Sequence, residues 1–193
     1  MADSPLKDHL YDYLKQGRAA LLWKLDGLSE YDARRPLTAS GTSVLGVIKH
    51  VATVELGYLT DCFGRPSDIA LPWMSEDSEP MTDMYAAADE SREFIIDLYR
   101  RGSALADATI EALPLDAAGH VPWWHPDKAD VTLGQILIHL IAETHRHAGQ
   151  VDIVREMIDN SAGWKQEMPL MDGPEEGWPA YCERLEGIAA SFM

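Results

Sequence analysis

The chain has 193 residues, 46% of them hydrophobic, and carries 32 acidic against 16 basic side chains for a formal net charge of −16. That length allows one large domain with its own core, and the acid excess excludes nucleic acid and anionic membrane surfaces as partners, because both are bound through basic patches. No apolar run approaches the ~20 residues a membrane span requires, which leaves a globular protein kept in solution by its charge.

The first segment, MADSPLKDHLYDYLKQG, has acidic residues and no apolar stretch, so it does not read as a secretory signal. Cys62 and Cys182 are too few for a disulfide framework, and a reducing, cytoplasmic setting is expected. Between 5 and 28, Leu6, Leu10, Tyr13, Leu14, Leu21, Leu22, Leu25 and Leu28 recur at the spacing of an amphipathic helix. Gly17 interrupts it at a cost of ~1 kcal/mol relative to Ala. A polar stretch over 29–43 ends in Thr42 and Ser43, either of which can cap a second helix over about 44–63. Residues 64–82 hold three prolines and read as a long connection. Thr82 or Asp83 then caps a third helix over about 84–113, with Met84, Ala88, Phe94, Ile95, Leu98, Leu105 and Ile110 as its apolar positions and a bend at Gly102–Ser103. Residues 114–131 are irregular, Thr132 caps a fourth helix ending near Asn160, and a loop and a last helix over about 174–190 follow. No segment reads as a strand.

These elements predict an all-α four-helix bundle. The link between the first two helices, over 29–43, is the shorter of the two and is read as making them antiparallel. The ~19-residue link after the second exceeds the ~2–8 residues of an ordinary bundle loop. It can cross the bundle, giving an up-down-down-up order with a long crossover between helices 2 and 3. The expectation is a single helical domain over 1–193, with the bundle at about 5–160 and a C-terminal extension at 161–193, whose last helix has a face that could support a homodimer.

The fourth helix carries the chemistry. At ~3.6 residues per turn, Glu143 and His147 share one face about a turn apart. His139 falls on the same stripe, flanked by Ile136, Leu140, Val151 and Val154, so the stripe faces the core; His145 points ~160° away, toward solvent. A carboxylate on a core face is costly unless it is paired or bound to a metal. On spacing alone two readings stay open: Glu143 and His147 bond to each other or to Arg146, or both hold one divalent metal. His50, a turn after Val47 and a turn before Val54, lies on the buried face of the second helix. It reads equally as a hydrogen-bonded core histidine or as a third ligand. Two His and one Glu would leave the open position of a catalytic zinc site.

Two segments, 44-VLGVIKHVATVELGYL-59 and 136-ILIHLIAETHRHAGQVDIVREMID-159, carry a resemblance. A His in the second helix, then Glu-Thr-x-Arg-His-x-Gly and Asp-Ile-x-Arg-Glu in the fourth, is similar to the DinB-like superfamily of metal-binding four-helix bundles. Within it the chain most resembles mycothiol-dependent enzymes, the maleylpyruvate isomerases and mycothiol S-transferases. Many relatives have His where this chain has Glu143; the mycothiol-dependent branch has Glu. The resemblance implies His50, Glu143 and His147 as metal ligands. Zinc is the first choice for such ligands, with nickel, iron or manganese able to occupy them. It also implies mycothiol or a similar sugar thiol as co-substrate, taken up as a metal-bound thiolate for attack on an electrophile. A maleylpyruvate-type isomerase, which needs an arginine for a dicarboxylate, and a non-enzymatic metal-binding stress-response bundle are the alternatives.

Around this centre, His139 could orient the Glu143 carboxylate. Trp123, Trp124 and His125, just before the fourth helix, could contact substrate or simply close the bundle end. Arg155 could pair with Asp152 or Glu156, or hold an anionic substrate group. Gln150 follows His147 by three positions and has no assigned role. Neither cysteine has an activating neighbour in sequence, so both are expected to be structural.

Overall fold

A computed structural model describes residues 5–75, 77–166 and 173–193. The bundle helices are α1 (Pro5–Trp23), α3 (Val44–Leu59), α4 (Arg92–Ala112) and α6 (Leu133–Asp159). Shorter helices are α2 (Glu30–Arg34), α5 (Pro126–Ala129) and α7 (Trp178–Ala190). Two short strands, β1 (Ala118–His120) and β2 (Asp130–Thr132), pair antiparallel with Gly119 opposite Val131.

Contacts along the helices fix their directions. His145 bonds to the carbonyl of Tyr13 and Arg155 to that of Lys24, so α1 and α6 run parallel. Lys49 pairs with Glu90 and Ser103 bonds to Glu55, so α3 and α4 also run parallel. Tyr58 stacks on His139 and His50 on His147, which makes α3 and α6 antiparallel. The order is up-down-down-up, as the length of the crossover predicts.

Caps account for several boundaries. Ser43 and Thr132 accept hydrogen bonds from the backbone of Gly46 and Gln135 at the starts of α3 and α6. Asn160 closes α6 in the left-handed conformation that ends many helices. Elsewhere the expectation is corrected. α1 stops at Trp23, giving way to turns before Leu28. α4 begins at Arg92 under a Ser91 cap, not at Met84, and the stretch before it makes only a 3₁₀ turn, Thr82–Met84. The strand pair was not expected, since three residues of a ladder leave no readable alternation. The last helix starts at Trp178, and part of the loop expected before it lies outside the described residues. α7 buries none of its side chains.

Two apolar clusters fill the bundle. One gathers Leu21, Val47, Val51, Tyr99, Ala148 and Val151; the other gathers Leu14, Leu59, Ile110, Val131, Leu137 and Leu140. Along each helix a polar residue separates them: Arg18 on α1, Glu55 on α3, Ser103 on α4, and Glu143 to His147 on α6. Arg18 pairs with Glu55 at 2.8 Å and Asp107 at 2.6 Å. Burial drives the Glu55 carboxyl upward against the pull of Arg18. Such a buried pair adds little net stability, but removing one partner strands the other.

Candidate metal centre

His50, on the second turn of α3, and Glu143 and His147, on α6, come together, with one ligand atom of each within 4.8 Å of the others. His147 Nε2 lies 2.9 Å from Glu143 Oε1, and His50 Nε2 lies 3.9 Å from the same oxygen. The two imidazoles meet edge to face with centroids 4.8 Å apart. His147 is buried, while His50 and Glu143 are half-buried.

The outer nitrogens of both rings are occupied. His50 Nδ1 lies 2.6 Å from Asp83 Oδ2. The hydrogen bond from His50 is the main influence that holds the Asp83 carboxyl below the usual range, against its burial. An ionised carboxylate only accepts, so Nδ1 carries a proton, which leaves Nε2 as the nitrogen that can offer a lone pair inward. His147 Nδ1 lies 2.8 Å from Gln150 Oε1, which sets the same tautomer. Burial raises the Glu143 carboxyl, but a hydrogen bond from His147 and the attraction of Arg146 and of the two imidazoles when they carry a proton outweigh it and leave it below the ordinary range. With both rings neutral, two imidazole lone pairs and a carboxylate face one another, an arrangement of acceptors that needs a proton or a cation between them. The donor set, N₂O with each imidazole backed by an acceptor, fits a borderline divalent metal such as zinc.

Asp83 was read as a possible helix cap, and its true position depends on a close approach. At Gly46 a Cβ would lie 2.0 Å from the carbonyl oxygen of Met84, so only glycine lets the 82–84 turn sit on α3. Met81, just before that turn, has φ 68°, a left-handed conformation costly for a non-glycine residue. Lys49 ties the turn down from below. It is fully buried, donates to the carbonyls of Thr82 and Tyr85, and meets both oxygens of Glu90. Gln150 joins the centre too, although its sequence position suggested no role. Its signal was the three-residue spacing from His147.

A cavity of about 430 Å³ opens beside the three side chains, with Glu143, Asp83 and His139 in its wall. Tyr58 and Trp123 form one side, and the Tyr58 hydroxyl accepts from the indoles of both Trp123 and Trp124. Trp123 thus reaches the cavity, while Trp124 stands behind Tyr58 and packs on His139. His139 lines the cavity with its ring against Tyr58 and makes no hydrogen bond to Glu143 among the described residues, so its expected orienting role is corrected to a packing one. His125 caps α5 on the surface and does not line the cavity.

Arg155 is also corrected. It pairs with Asp159, at 2.6 Å, and donates to the carbonyls of Lys24 and Asp26. Asp152, its expected partner, holds the buried Lys24 instead. Every Arg155 nitrogen is engaged at the end of α1, which leaves none for a substrate anion. His145 is half-buried against Tyr13 and Trp164 rather than solvated, because Gly17 lets α1 approach that side of α6. Cys62 is buried, which with the charge of Asp61 pushes its thiol up to about 11, so it holds no thiolate at neutral pH. No helix among the described residues is long and apolar enough to cross a membrane.

Among curated proteins, none matches this chain. The family model of the mycothiol-S-transferases does, over residues 9–160, a span that contains α1 from its fifth residue on, the other three bundle helices whole, the three converging side chains and the cavity. With His50 on α3 and the Glu-Thr-x-Arg-His motif on α6 within that span, the chain belongs to the mycothiol-S-transferase family.

Proposed function

We propose that the protein is a metal-dependent S-transferase that joins the sulfur of mycothiol, or of a similar low-molecular-weight sugar thiol, to an electrophilic carbon. The observation that carries this reading is the convergence of His50 Nε2, His147 Nε2 and Glu143 Oε1 beside a cavity, within the family match. His50, Glu143 and His147 are the side chains that would hold the metal, with zinc as first choice and nickel, iron or manganese as others the same ligands accept. A divalent cation held by them would supply the acidity that takes a thiol, with a free pKa of ~8.5, to its thiolate near neutral pH. Asp83 and Gln150 keep the two imidazoles turned inward, and the Tyr58–Trp123 wall shelters the site from bulk water. Cys62, with its raised pKa and no place in the cavity wall, takes no part.

The isomerase alternative needs an arginine for a dicarboxylate. Arg155 is fully engaged elsewhere, and Arg146 does not line the cavity. The transferase reading is therefore the better supported of the two. Elemental analysis tests its metal: native protein should carry close to one equivalent of a divalent metal, and His147→Ala should lose it. Equal metal in both would remove the ligand assignment. Turnover of chlorobimane with mycothiol tests the reaction, and no metal-dependent turnover with any low-molecular-weight thiol would remove it.

A further inference from the structure

The cavity is one-sided in charge. Three carboxylates line it, Asp61, Asp83 and Glu143, and none of the described lining residues is Lys or Arg. Lys49 is buried against Glu90, and Arg146 is exposed on α6 and absent from the cavity wall. Even with a divalent cation held and a thiolate bound, negative charges around the cavity outnumber positive ones. Thr53 and the His139 ring, which packs on Tyr58, are the other polar side chains of the wall, and the rest is apolar or aromatic, from Val54, Leu71, Met74, Tyr58 and Trp123. Trp123 is half exposed, its ring set edge-on to Tyr58 at 5.1 Å and its indole donating to the Tyr58 hydroxyl. A ring fixed in this way offers a flat face at low entropic cost.

We infer that this cavity selects an uncharged, flat acceptor and rejects acceptors that carry a carboxylate, with Asp61 and Trp123 as the residues that set the preference. The inference rests on the transferase reading for the name of the acceptor, but not for the charge selection itself. An anion brought into the cavity faces like charge in a partly dehydrated space and finds no guanidinium or ammonium to replace its water. A neutral aromatic loses little hydration and gains the Trp123 and Tyr58 faces. Asp61 is the carboxylate to change, because it is exposed and neither holds nor contacts the three converging side chains.

The test uses two unreactive probes of equal shape, 3,5-dinitrobenzamide and 3,5-dinitrobenzoate, with the purified full-length protein. Equilibrium dialysis gives their affinities, and quenching of tryptophan fluorescence reports contact with the aromatic wall. The amide should bind at least about tenfold more tightly than the carboxylate, a gap of ~1.4 kcal/mol. Asp61→Lys should close most of that gap, and Trp123→Ala should weaken the amide. Because the readout is a ratio on one sample, a partly unfolded variant does not distort it. Equal affinity of the two probes, no binding of either, or a ratio unmoved in Asp61→Lys would overturn the inference. Turnover of 4-chloro-3,5-dinitrobenzamide against its benzoate counterpart with mycothiol separates the two claims. Selective binding without turnover would sink thiol transfer and leave charge selection standing, and turnover of both acceptors alike would do the reverse.

Discussion

Asp83 is not itself one of the proposed metal's ligands, yet it decides which nitrogen His50 offers. Its carboxylate accepts the hydrogen bond from Nδ1–H at 2.6 Å and leaves Nε2 free to face Glu143. Asp83→Asn keeps the size and one acceptor but removes the charge that fixes the tautomer. It should lower zinc affinity by about 10–100-fold, read by competition with a chromogenic chelator. An unchanged affinity would mean that packing alone orients His50. Arg155 and Asp159 act at the same scale on stability. The bond from Arg155 is the main influence that depresses the Asp159 carboxyl, against modest desolvation. A depressed carboxylate contributes stability that is full above its unfolded pKa, about 3.9, and is lost as pH falls through the lower folded value. Asp159→Asn should therefore melt below the wild type at pH 6, and the gap should shrink as the pH drops below 4. A gap that stays constant with pH would show that the pair does not titrate with folding.

At the scale of elements, the site depends on how the crossover sits against α3. Gly46 allows the carbonyl of Met84 to rest on the first turn of the helix, and Lys49, one turn below, binds the same segment from within the core. A methyl at Gly46 must push that segment away. Gly46→Ala should cost about 1–3 kcal/mol in denaturant unfolding, although alanine is the better helix former. It should also weaken metal binding, because Asp83 moves with the turn. A stabilised variant would show that the crossover yields freely. Part of this was readable in advance. The boundaries at Ser43, Thr132 and Asn160 follow from local chemistry, since a cap bonds to backbone within its own turn. The start of the third helix was not readable, because Asp83 has the residue type of a cap, and its partner lies 33 positions away.

Across the whole molecule, α7 contributes no buried side chain, and the family match ends at residue 160. The stretch 161–166 differs, since Gly163 accepts from Trp23 and Lys24 and donates to Asp152. A chain ending after residue 166 should keep its melting temperature and its metal content, because hydrophobic stabilisation scales with apolar area removed from water and α7 removes little. A large fall in melting temperature would show that α7 docks on the bundle. The sequence by itself determined the four long helices and the Glu143–His147 spacing, because helical periodicity, caps and a four-residue spacing are local properties of the chain, and it left the up-down-down-up order to the tertiary contacts. The likeness in two segments joined His50 to that pair. Only the tertiary structure decided that Asp83 and Gln150 fix the rings, that Arg155 is spent between Asp159 and the end of α1, and that the cavity holds carboxylates without a lysine or arginine among its described lining residues. Those facts depend on which helix faces mate and how closely two backbones approach, and no local spacing encodes either.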